Sequence, residues 1–135
     1  MSIGVGGRAR LVAQDECTLI YEYAPYNLNE NEYRNANHIF DGIITIDRDA
    51  LVEAEIREKT KKMPSGRKKT VIKRIRVDVD YERLFEQNKI KIENSRFCWH
   101  ILPHGQGRIA MMLIFQIFGR YQDEGIVPNE VYYDV

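Results

Sequence analysis

The chain is short of the features that usually announce a reaction. It has two cysteines in 135 residues, Cys17 and Cys98, with no CxxC spacing. That pattern matches no common zinc module, and it fits a reduced compartment with two ordinary thiols, a Cys17–Cys98 disulfide being the alternative. The opening MSIGVGGRAR lacks the apolar core of a signal peptide, and no apolar run reaches the ~20 residues that a membrane span needs. A cytoplasmic location with no membrane contact is therefore expected. Gly4, Gly6 and Gly7 do not stand between a strand and a helix in the dinucleotide pattern. The segment 64–69, PSGRKK, lacks P-loop spacing. No cofactor is expected, and no residue is assigned a catalytic role.

Net charge is also lacking: twenty Lys and Arg balance twenty Asp and Glu. The balance is global and not local. Residues 57–76 hold ten basic side chains against one acid, Glu58, for +9. Residues 1–56 carry four basic against ten acidic, for −6, and residues 77–135 carry six against nine, for −3.

What is present suits one domain over 1–135, long enough for its own core, with a loose N-terminus over 1–7. The most apolar stretch is 108–122, RIAMMLIFQIFGRYQ. As a helix it would be roughly 22 Å long at about 1.5 Å per residue. Apolar residues on most of its faces predict burial on several sides. Gly105 and Gly107 precede it, and Gly125 with Pro128 stops it.

Around this helix the pattern predicts strands over 8–13, 18–23, 43–46, 70–79, 89–93 and 130–133, and a further one over 97–102. Leu19, Tyr21 and Tyr23 alternate with Ile20 and Glu22, as on a half-buried strand. Shorter helices are expected over 48–62 and over 80–87, the second capped by Asp80. Residues 24–37 read as a polar loop. The fold class expected is α+β: a mostly antiparallel sheet packed against one long C-terminal helix, with shorter helices beside it.

Three sets of residues could carry function. The first is the basic segment, with Lys61, Lys62, Arg67, Lys68, Lys69, Lys73, Arg74 and Arg76 as a partner-binding patch. The competing explanation is neutralisation inside the fold, by the nine excess negative charges elsewhere. The second is the loop with Tyr26, Asn29 and Tyr33, since tyrosine and asparagine suit contact surfaces. The third is Cys98, His100 and His104 in FCWHILPH, which offer soft and imidazole donors but not the four ligands of a structural zinc site. No metal is assigned there.

The reading is a small, non-enzymatic interaction domain of the accessory or inhibitor/neutralising type, whose partner is an acidic protein. The alternative is a nucleic-acid-binding module using 57–76. The layout, small and without catalytic signatures, is shared by many bacterial accessory and toxin-neutralising proteins, and it matches no family residue by residue. Oligomeric state is not read from the sequence.

Overall fold

The computed structural model describes residues 3–135. Seven strands, β1 (Val5–Gln14), β2 (Thr18–Asn27), β3 (Gly42–Asp47), β4 (Glu55–Lys62), β5 (Lys68–Ile75), β6 (Ile90–Glu93) and β7 (Glu130–Asp134), join two α-helices, α1 (Tyr81–Glu86) and α2 (Arg108–Glu124). The main sheet is antiparallel throughout, in the order β6-β3-β2-β1-β7, and β4 and β5 form a separate two-stranded sheet. The α+β class with one long C-terminal helix is the architecture observed.

β1 and β2 are a hairpin closed by Asp15, whose carboxylate accepts the backbone N–H of Cys17 and of Thr18, both at 2.8 Å. Alternation puts Ala9, Leu19, Tyr21, Tyr23, Ile44, Ile46, Ile90 and Val131 on one face of the sheet, nearly or wholly removed from water. α2 lies across that face with Ile109, Leu113, Ile114, Ile117 and Phe118 buried. Its far side is not bare: the Tyr81 ring of α1 packs on Phe115 and Phe118, with centroids 4.8 and 5.3 Å away. A helix apolar on most faces is thus sandwiched between the sheet and α1. Gly125 ends it in the left-handed conformation (φ 75°).

Several expectations from sequence are corrected. Residues 5–7, read as part of a loose N-terminus, are buried in β1, and residues 1–2 lie outside the described residues. The loop read over 24–37 starts later, because β2 runs on to Asn27. Pro25 is tolerated there because β3 stops pairing at Tyr23, which leaves the β3 side of β2 open beyond that point. The stretch 97–102 is turn and coil with a single bridge, Ile101 to Gly107.

The largest correction is 48–62, read as a helix. Only a 3-10 turn, Arg48–Ala50, forms there, and Glu55–Lys62 is strand. Leu51, Val52 and Ile56 are too few to give a helix of that length an apolar face. The Met63–Gly66 turn offers the segment a complete ladder with β5 instead, from Glu55↔Ile75 to Lys62↔Lys68. β5 was expected to have one wet face over 70–79. It ends at Ile75, and every residue of it before Ile75 is exposed.

Candidate functional site: a basic β-hairpin arm

β4 and β5 form an arm of eight residues per strand, about 26 Å long at ~3.3 Å per residue. Neither face of it is covered along its length. The register decides which side chains share a face, because direct partners point the same way. Arg57↔Lys73, Lys59↔Val71 and Lys61↔Lys69 place five cations and one valine on one face, which also carries Glu55 opposite Ile75 at its base. The other carries Lys62 opposite Lys68 and Arg74 opposite Ile56, with Glu58 opposite Ile72 and Thr60 opposite Thr70. Arg67 lies beside the turn.

Among the described residues, only two cations of 57–76 form ion pairs: Arg57 with Glu55 at 3.1 Å and Arg76 with Asp123 at 2.6 Å. Lys61, Lys62, Arg67, Lys68, Lys69 and Lys73 therefore stand in solvent with no acid of the fold against them. Apart from the Arg57–Glu55 pair at the base of β4, internal neutralisation, one explanation of the charge segregation, does not occur along the arm.

Its base is fixed to the end of α2. Arg76 grips Asp123 with two hydrogen bonds, 2.8 and 2.6 Å, and this pairing holds the Asp123 carboxyl below the usual aspartate range. The Arg74 guanidinium reaches the Gln122 carbonyl (3.5 Å) and lies against Gly125, a favourable place for a cation at a helix C-terminus. Gln122, almost fully buried, pairs both ways with Val77: its Oε1 accepts the Val77 N–H at 2.7 Å, and its Nε2 donates to the Val77 carbonyl at 3.0 Å. The eight basic residues singled out from sequence thus divide. Arg74 and Arg76 anchor the arm, and the other six are displayed on it. Sequence reasoning missed Gln122 and Asp123; a polar Gln-Asp pair closing an apolar helix was the available signal.

The Tyr/Asn loop is differently placed. The Tyr26 hydroxyl donates to Asp134 at 2.5 Å, and burial is the main reason its pKa is pushed up to about 12. Asn29 donates to the Ile3 carbonyl at 2.8 Å. Tyr33 is half-buried in a 3-10 turn, Asn31–Tyr33. Two of the three side chains are thus engaged within the fold. Tyr26 also lines a cleft of about 500 Å³ between the sheet and the 28–41 segment.

Cys98, His100 and His104 do not converge. The Cys98 thiol donates to the His100 carbonyl at 3.5 Å, not to its imidazole, and burial pushes the thiol pKa up, so it stays protonated. His104 lines a separate cleft of about 450 Å³ with Glu82, Phe85, Glu86 and Met111. Among the described residues, no three His, Cys, Asp or Glu side chains are grouped to hold a metal ion. Among the described residues, no helix is long and apolar enough to cross a membrane.

Compared with known protein families, curated proteins and solved structures, the chain matches none. Function is argued from the geometry alone.

Proposed function

We propose that the protein is a binding module whose basic arm engages a nucleic-acid duplex. The observation that carries this reading is the five-cation face of β4 and β5, with no acid of the fold paired to Lys59, Lys61, Lys69 or Lys73. A duplex carries one negative charge per ~1.7 Å of axis, and neutralising phosphates releases counterions, which drives binding. A two-stranded ribbon is one of the shapes that a major groove, ~12 Å wide, admits. Arms of this kind position a protein by phosphate contact and need not read bases.

Two features favour a duplex over the other partners considered. Protein interfaces are depleted in lysine and anchored by Tyr, Trp and Arg, whereas the arm is rich in lysine and has no aromatic residue from 55 to 75. That same absence disfavours single strands, whose bases stack on aromatic rings. The acidic-protein reading had its aromatic anchors in the 26–33 loop, where Tyr26 and Asn29 are bonded internally.

The test is fluorescence anisotropy with a labelled random-sequence duplex at low salt, the matching single strand, and polyglutamate as the acidic-polypeptide control. The duplex should bind tightest. Replacing Lys61, Lys69 and Lys73 by Ala should weaken it by roughly tenfold or more, since each lost phosphate contact removes a counterion-release contribution. Equal or tighter binding of polyglutamate would return the acidic-protein reading to first place.

A further inference from the structure

The outer face of the main sheet, away from α2, is crossed by the 28–41 segment, and the cleft of about 500 Å³ lies between them. Its floor is made by Arg8 and Ala24, direct partners on β1 and β2, with Tyr26 and Asp134 flanking Gly6. Its wall is the segment itself: Leu28, Arg34, Ala36, His38 and Phe40. That volume is in the range of small-molecule sites, roughly 300–1,000 Å³.

The wall is held in place by buried structure. Asn35 is 5% exposed and adopts a left-handed conformation (φ 50°). Its Nδ2 donates to the Pro25 and Ile39 carbonyls at 3.1 and 3.0 Å, and its Oδ1 accepts the Ile39 N–H at 2.8 Å. His38, on the cleft, is also left-handed (φ 51°). Two strained non-glycine residues within four positions, pinned by a buried amide that makes three hydrogen bonds, are a wall set in advance of any ligand.

The charges of the cleft are unequal. Arg34 forms no ion pair among the described residues, and Arg8 lies over the Tyr132 ring at 4.8 Å with a loose contact to Glu130 at 3.9 Å. The one carboxylate, Asp134, already accepts the Tyr26 hydroxyl. Phe40 has the Arg10 guanidinium over its ring at 3.9 Å and, with Leu28, Ala24 and Ala36, gives the cleft an apolar body.

We infer that this cleft binds a small organic anion, with a planar apolar body against Phe40 and Leu28 and one carboxylate or phosphate between Arg8 and Arg34. The site is independent of the arm, which is fixed to the other end of α2: Ile109, at the helix start, meets Gly7 beside the cleft.

The experiment is amide chemical-shift mapping of the full chain with benzoate, phenyl phosphate and, as uncharged control, benzyl alcohol. Benzoate or phenyl phosphate should shift the amides of Leu28, Ala36, His38 and Phe40, and bind roughly tenfold tighter than benzyl alcohol, about one charge-assisted hydrogen bond. Arg34→Ala should remove that preference and Arg34→Lys should keep part of it. Arg34 is exposed, so neither change threatens folding. Shifts confined to the arm, equal binding of benzyl alcohol, or an Arg34→Ala variant that binds like the parent would each overturn the assignment.

Discussion

Gln122 is the residue on which the placement of the arm depends. It is the one buried polar side chain of α2, and both ends of its amide are used by Val77. Gln122→Leu keeps the volume and strands a backbone N–H and a carbonyl. Destabilisation of about 1–3 kcal/mol is expected from an unpaired backbone group, read as a shifted urea midpoint. Tyrosines set a second residue-scale property. Burial pushes Tyr23 up to about 12, and Tyr26 is held up to about 12 by burial and by Asp134. Their neutral forms are the ones the fold favours. That contribution is complete below the ordinary tyrosine value near 10 and is lost as pH rises through about 12. Phenolate absorbance in the native protein should therefore lag that of the unfolded chain. Stability to urea should fall from about pH 10 upward. Gln122 illustrates what a sequence hides at this scale: the Gln-Asp pair marks the end of the apolar helix, but not that the glutamine is buried and the aspartate exposed.

At the scale of elements, α2 and the main-sheet strands were legible because each buries a periodic apolar face. Ile114 shows the consequence: it is fully buried between sheet and helix, and Ile114→Ala should cost about 2–5 kcal/mol in unfolding free energy. β4 was not legible because it buries nothing. Its lysines fit the end of a helix as well as they fit a strand, and only the ladder with β5 decides. The cleft wall escaped for a related reason, since Asn35 reads as a loop residue until its three bonds to Pro25 and Ile39 are seen. The arm also conflicts with its own stability. Arg57↔Lys73, Lys61↔Lys69 and Lys62↔Lys68 set like charges directly opposite, which opposes pairing, in a two-stranded element that is marginal by itself. Lys73→Glu turns the first of these into an attractive pair. It should slow hydrogen exchange of the arm amides while weakening duplex binding. A variant that gains protection and binds as well as the parent would separate the arm's charge from its use.

At the scale of the molecule, the neutral total conceals a strong separation of charge. Residues 57–76, most of the arm and its Arg76 anchor, carry +9, the rest of the chain −9. A neutral total by itself argues against a nucleic-acid binder, yet Lys59, Lys61, Lys62, Arg67, Lys68, Lys69 and Lys73 are displayed with no acid paired to them among the described residues, while Arg57 and Arg76 have acidic partners. The most direct test of this account is the salt dependence of duplex affinity. If the five-cation face meets phosphates, log K should fall against log salt with a slope near −4 to −5, about −0.9 per phosphate contacted. Replacing Lys61, Lys69 and Lys73 by Ala should bring the slope toward about −2 by the same rule. A duplex that does not bind at low salt, or a slope that the three replacements leave unchanged, would contradict the arm as the working surface.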